Sequence, residues 1–243
     1  MKILLLGYGK MGKIIEEIAV SRGHQIIGKI NIDNRAELEQ IQAQNVDVII
    51  EFSQPEAAIS NIRWGLERGI PVVSGTTGWM EKKPEIEKLT ADKEGTFFYA
   101  SNFSIGVNVF FKVNQYLAQL MDEQSDYKVS IEEIHHTEKK DAPSGTAITL
   151  AEDIVKNIDR LSQWELTEEK PMPKDALPIT SKRIDPAPGT HIIRYQSEID
   201  DIEITHTAHS RKGFALGAVL VAEWIKDKKG LLTMDDFLSF RNF

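Results

Sequence analysis

The chain has 243 residues, 41% hydrophobic and 27% charged, a length for one large domain or two small ones and a composition that excludes a disordered or collagen-like chain. It has no cysteine, which removes disulfides, thiolate metal sites and every thiol nucleophile. Its 29 basic and 37 acidic residues give a net charge of −8, which opposes a nucleic-acid groove or an acidic membrane surface and leaves small anions as ligands.

Only four apolar residues follow Lys2 before Gly7, and the stretch Phe214 to Ile225 is short and contains Glu223. Neither a signal peptide nor a membrane span is expected, so the expectation is a cytoplasmic enzyme. Ile3 to Leu6 reads as a buried strand that breaks at Gly7-Tyr8-Gly9-Lys10-Met11-Gly12, after which Ile14, Ile15, Ile18 and Ala19 recur at helical spacing up to Gly23. Gln25 to Ile32 completes a βαβ unit. Strands are predicted at Val46 to Phe52, Pro71 to Ser74 and Thr96 to Ala100, alternating with helices at Pro55 to Arg68 and Glu81 to Asp92. That alternation predicts a mostly parallel sheet covered on both faces.

The pattern changes near Ser104. A helix (Val107 to Met121), a strand (Tyr127 to Ile134), a polar segment (His135 to Gly145) and a helix (Thr146 to Asn157) follow. Residues 162–189 carry Pro171, Pro173, Pro178, Pro186 and Pro188 and read as loop with at most one short strand near Ile179 to Arg183. Thr190 to Glu198 and Asp201 to His209 read as paired strands, and Phe214 to Lys226 as a final helix. The predicted class is therefore α/β, a Rossmann-type domain formed by residues 1–104 and 213–243 plus an α+β domain, 105–212, with a mixed open sheet.

A strand running through Gly7-x-Gly9-x-x-Gly12 into a helix suits a dinucleotide: the first glycine permits the turn, the second lets a pyrophosphate approach, and the third allows close helix packing. The free amides at the helix start hold phosphates. The position that meets the adenosine ribose falls at Asn31 or Asp33. Lys29 and Arg35 nearby could attract a 2′-phosphate, so NADH and NADPH both stay open. Phe52-Ser53-Gln54, Gly75-Thr76-Thr77-Gly78 and Ala100-Ser101-Asn102-Phe103 follow later strands and are expected around the same crevice.

The densest chemistry is Glu133-Ile134-His135-His136-Thr137-Glu138-Lys139-Lys140-Asp141-Ala142-Pro143-Ser144-Gly145-Thr146. The Ser144 to Thr146 amides at a helix start, with Lys139 or Lys140, would suit a substrate with two carboxylates, and His135 or His136 could relay a proton. No metal is expected, because adjacent histidines seldom point at one ion and no acidic cluster completes the set. His206 and His209 read as ordinary solvent-facing residues.

These motifs, with Glu51-Phe52-Ser53, Ser101 through Asn108, Ile204-Thr205-His206, Arg211 and Phe214, resemble the 4-hydroxy-tetrahydrodipicolinate reductase (dihydrodipicolinate reductase) family essentially end to end. The resemblance implies reduction of a cyclic unsaturated dicarboxylate by NADH or NADPH in lysine and diaminopimelate biosynthesis. It implies His135 as proton donor or acceptor and Lys139 as proton donor, with His136, Ser144, Gly145 and Thr146 on the substrate. The glycine turn, Phe52, Gly75 to Thr77, Ala100 to Phe103 and Arg211 would hold the cofactor. It further implies a homotetramer assembled through the second sheet. Asn31 stands where many members carry an acid. An aspartate-dehydrogenase-like oxidoreductase and a non-catalytic dinucleotide sensor are the alternatives.

Overall fold

The computed structural model of the chain describes residues 1–167 and 172–239; Pro171 and the last four residues of the expected first domain lie outside them. In chain order the elements are β1 (Lys2–Leu6), α1 (Lys10–Ser21), β2 (Gln25–Ile30), β3 (Val48–Glu51), α2 (Pro55–Leu66), β4 (Val72–Ser74), α3 (Lys83–Asp92) and β5 (Thr96–Tyr99). There follow α4 (Ile105–Met121), β6 (Lys128–His135), α5 (Gly145–Asn157), β7 (Gln163–Leu166), β8 (Ala176–Arg183), β9 (Gly189–Gln196) and β10 (Asp201–Ala208). The chain closes with α6 (Lys212–Ile225), β11 (Gly230–Leu232) and α7 (Met234–Leu238). It divides into two compact units, Met1–Ile105 with the described residues from Lys212 onward, and Gly106–Arg211.

The first unit carries a six-stranded sheet in the order β11-β5-β4-β3-β1-β2, with every pairing parallel. Successive residues of β1 face opposite sides. Ile3 and Leu5 join Ile15, Ala19, Ala218 and Ala222 from α1 and α6, whereas Leu4 and Leu6 join Ala58, Ile62 and Ile86 from α2 and α3. Both faces are therefore dry, which is why the strands read as continuous apolar runs rather than alternating ones. All six strands point the same way, so the loops after β1, β3, β4 and β5 emerge on one edge.

The second unit has a five-stranded mixed sheet, β10-β9-β6-β8-β7, antiparallel at β10·β9 and β9·β6 and parallel at β6·β8 and β8·β7. This bears out the expected fold class. Its core is Val129, Ile131, Leu177, Ile179, Ile193 and Tyr195 under Phe110, Leu150 and Ile154 of α4 and α5.

Two expectations are corrected. The proline-rich segment holds two strands, β7 and the eight-residue β8. Pro178 does not break β8 because it sits opposite Glu165 of β7, one residue before the register with β6 begins at Ile179, so its missing N–H costs nothing on the β6 side. After the last long helix a further strand, β11, pairs with β5 at the sheet's edge; three residues are too few to carry a periodic signal.

Candidate functional site

The candidate site of the first unit is made of backbone. Gly7 has φ +94, and a Cβ there would stand 2.0 Å from the Phe52 carbonyl oxygen; one on Gly12 would stand 2.5 Å from the Gly7 oxygen. Gly9, the N-cap of α1, has nothing within 4 Å of the same position. Two glycines are thus demanded by the protein's own packing, and the third leaves open room at a helix start with neither a side-chain cap nor an acid in its first turn. That is the shape and polarity a pyrophosphate needs.

A cavity of about 620 Å³ adjoins the turn and brings together Gly7, Gly9, Asn31, Arg35, Phe52 and Ser53. A second, of about 340 Å³, brings Met11, Phe52 and Ser53 to Gly75, Thr76 and Thr77. Asn31 is committed, since its Oδ1 accepts the Tyr8 N–H at 2.9 Å. Asp33 is exposed and lines neither cavity. Lys29 pairs with Glu16 at 2.7 Å and lies over the Tyr8 ring, whose hydroxyl donates to the same glutamate. Arg35 has a buried Nη1 with no partner. Lys10 is exposed beside the turn. Ala100 and Phe103 belong to the core, Phe103 packing on Phe52 and Phe98. Ser101 is exposed, and Asn102 accepts the Ser104 N–H at 2.9 Å. Arg211 is exposed and falls in the second unit.

Behind these loops lies a residue to which the sequence reading gave no role. Glu51, fully buried at the end of β3, accepts Ser74 Oγ–H (2.7 Å), Thr76 Oγ1–H (3.0 Å), the Ser53 N–H (3.2 Å) and the Ser53 hydroxyl. One carboxylate ties the loops after β3 and β4 together.

The candidate site of the second unit is made of side chains. Strand β6 alternates so that Ile131, Glu133 and His135 share the buried face. Register then supplies neighbours from distant sequence: Glu133 stands opposite His191 of β9 and Ser181 of β8, and His135 stands opposite Arg183. Glu133 accepts Ser181 Oγ–H (2.8 Å), Arg183 Nη2–H (3.3 Å) and the Ser144 N–H, which lies 3.1 Å from each oxygen. Nδ1 of His135 is 3.4 Å from Oε2, and Nε2 of His191 is 3.8 Å from it. The hydrogen bonds around Glu133 hold its carboxyl below the usual range against the opposing effect of burial. Burial pushes both histidines down, His191 to about 4.

Ser144 caps α5 by accepting the Ala147 N–H at 3.2 Å, and its Oγ lies 3.1 Å from His191 Nε2. A Cβ on Gly145 would meet nothing within 4 Å, so the start of α5 at Gly145 and Thr146 is open to an anion. Lys139 lies 2.8 Å from both oxygens of Asp141. His136 is half-buried, its backbone carbonyl accepts the Lys139 N–H at 3.1 Å, and the backbone oxygens of Lys139 and Asp141 are held by Arg183 at 3.3 and 2.6 Å. His206 is not simply solvent-facing: it is half-buried against Phe110.

Arg183, Ser181 and His191 join the cluster from β8 and β9, outside the polar segment that the sequence singles out. His191 carried a signal, because the period of two through Ile193 and Tyr195 places it on the buried face. Glu133, His135 and His191 do bring potential metal-ligand atoms within 4.8 Å of one another. The donors already on Glu133, a guanidinium among them, suit a hydrogen-bonded anion better than a cation's ligand.

Residues 1–103 match the family described as "Dihydrodipicolinate reductase, N-terminus", and residues 106–238 match "Dihydrodipicolinate reductase, C-terminus". A 4-hydroxy-tetrahydrodipicolinate reductase of Christiangramia forsetii is 51% identical over 244 residues, covering 100% of both chains. One from Archaeoglobus fulgidus is 33% identical over 254 residues, covering 95% of this chain and 96% of the relative. Among solved structures, a dipicolinate-bound dihydrodipicolinate reductase from Paenisporosarcina sp. TG-14 shares the fold, with a TM-score of 0.77 at 20% identity over 98% of this chain and 99% of that one. The chain belongs to the dihydrodipicolinate reductase family.

Proposed function

We propose that this chain reduces 4-hydroxy-tetrahydrodipicolinate to tetrahydrodipicolinate with NADH or NADPH, the first unit holding the cofactor and the second the substrate. The observation that carries the reading is the open α5 start at Ser144, Gly145 and Thr146 in the same unit as His135, His136 and Lys139, in a chain 51% identical to a relative of that name. Neither the aspartate-dehydrogenase reading nor the sensor reading is favoured by these relatives.

The overall change consumes a hydride and a proton and releases the 4-hydroxyl as water. The nicotinamide, when bound, supplies the hydride. The α5 amides and His136 hold the ring's carboxylates, which fixes the ring and makes the transfer effectively unimolecular. Burial lowers the proton affinity of His135, so at neutral pH this imidazole takes the ring proton lost as the 4-hydroxyl leaves and returns it to the ring once the hydride has added. The donor role for the proton consumed overall then falls to Lys139, which exchanges its Asp141 partner for the substrate. On the cofactor side, Asn31 brings no carboxylate against a 2′-phosphate and Arg35 has an unpartnered Nη1, which supports NADPH over NADH.

The reading carries with it a cytoplasmic location, and no helix among the described residues is long and apolar enough to cross a membrane. It also carries a homotetramer assembled through the second sheet, supported by the outermost position of β10 and the exposure of Ile202 on it; light scattering in solution tests the assembly. Steady-state reduction of freshly generated substrate with each cofactor in parallel tests the reaction. The expected result is turnover with a lower KM for NADPH, a preference lost in Arg35→Ala; cofactor binding without turnover would sink the proposal.

A further inference from the structure

Glu133 is held by donors from three places in the second unit, yet nothing in the proposed reaction uses it. It is fully buried, and a buried carboxylate persists only where donors compensate its desolvation. Here the donors come from three different places. Ser181 and Arg183 lie on β8, and the Ser144 amide lies at the N-cap of α5. His135, on the same strand two residues away, is at 3.4 Å without the alignment of a hydrogen bond, so Glu133 acts on it through charge.

We propose that Glu133 is a positioning residue: a single buried anion that seats the α5 start on which the substrate's carboxylates rest and sets the proton affinity of His135. The proposal rests on the function proposed above. The charged and titratable groups facing this pair are Arg183 from β8, His191 from β9, His206 from β10 beyond His191, and Lys139 and Asp141 from the loop before α5, whose first turn carries no acid. Among them Glu133 and Asp141 favour the imidazolium, and Arg183 and Lys139 oppose it. Removing Glu133 or Arg183 should therefore move His135 in opposite directions, a signature that loss of packing alone does not produce.

The test is the pH profile of kcat/KM, whose acidic limb reports protonation of His135 in the free enzyme. Glu133→Gln keeps the side-chain volume and removes the charge. The limb is expected to move to lower pH by about one unit, the least shift usual for a charge at this range. Glu133→Asp should bring it back toward the wild-type position, and Arg183→Gln should move it to higher pH. A limb that stays in place while activity falls equally at every pH would reduce Glu133 to a structural role and overturn the proposal. Should Glu133→Gln fail to fold, Arg183→Gln decides alone, and an unmoved limb there overturns it. Titration of the wild-type protein with pyridine-2,6-dicarboxylate keeps the two failures apart: a wild type that neither binds this analogue nor turns over substrate refutes the function, whereas one that does both, with limbs unmoved in the variants, refutes only the role of Glu133.

Discussion

Each unit buries a glutamate near the end of a central strand, and the two are used differently. Glu51 in β3 and Glu133 in β6 are both fully buried, and both gather donors from a cross-strand partner and a following loop, Ser74 and Thr76 in one case, Ser181 and Ser144 in the other. Among the described residues the hydrogen bonds to Glu51 come from hydroxyls and an amide, so it serves as a fastener for the loops after β3 and β4. Glu133 faces a guanidinium and two imidazoles, so its charge is felt by groups that titrate. The lesson is that the proposed cofactor site is built from geometry, while the proposed proton-transfer site is built from charge.

The comparison breaks most sharply at the chemistry. A His135→Ala, Lys139→Ala double variant should lose turnover by about a thousandfold or more, since a positioned proton-transfer group contributes on the order of 10²–10⁴, while cofactor binding followed by nucleotide fluorescence stays intact. Near-normal turnover would show that the roles are wrongly assigned. On the geometric side, Gly7→Ala should destabilise the fold by about 2–5 kcal/mol, combining positive-φ strain with a backbone collision. Gly9→Ala, with open space around it, should leave the melting temperature unchanged and raise the cofactor KM. Equal thermal losses in the two variants would contradict the distinction drawn between them.

Charge in the second unit should also make stability depend on pH. His191 is held neutral in the folded state, its pKa pushed to about 4 against an ordinary value of 6.5. As pH falls from about 6.5 toward 4, the unfolded chain takes up a proton that the folded one refuses, so stability drops, by at most about 3 kcal/mol. Denaturant unfolding at a series of pH values should show this loss in the wild type and a flatter curve in His191→Gln. The smallest effect is expected at the loop-fastening glutamate: Glu51→Gln should raise the cofactor KM a few-fold and leave both limbs of the pH profile in place. A moved limb there would erase the contrast between the two glutamates.

Local sequence was sufficient wherever the physics is local. The apolar runs of β1 and β3 announced strands buried on both faces, Gly7 to Gly12 announced a strand-to-helix anion turn, and His135 through Thr146 announced a polar loop ending at a helix cap, because dihedral freedom, period and capping act over a few residues. The same local reading failed for β8, where Pro178 is harmless only because of where β6 begins to pair. It could not find the partners of Glu133: His191 and Ser181 are about fifty residues or more away along the chain, and only strand register, chosen by burial of Ile131, Ile179 and Ile193, sets them beside the carboxylate. Proton affinities in the site follow from that register, since they depend on which charges end up within a few ångströms inside a dry interior. The residue types and the anion-binding turns were thus determined by the sequence alone, and the electrostatics that would tune them was decided by the tertiary structure.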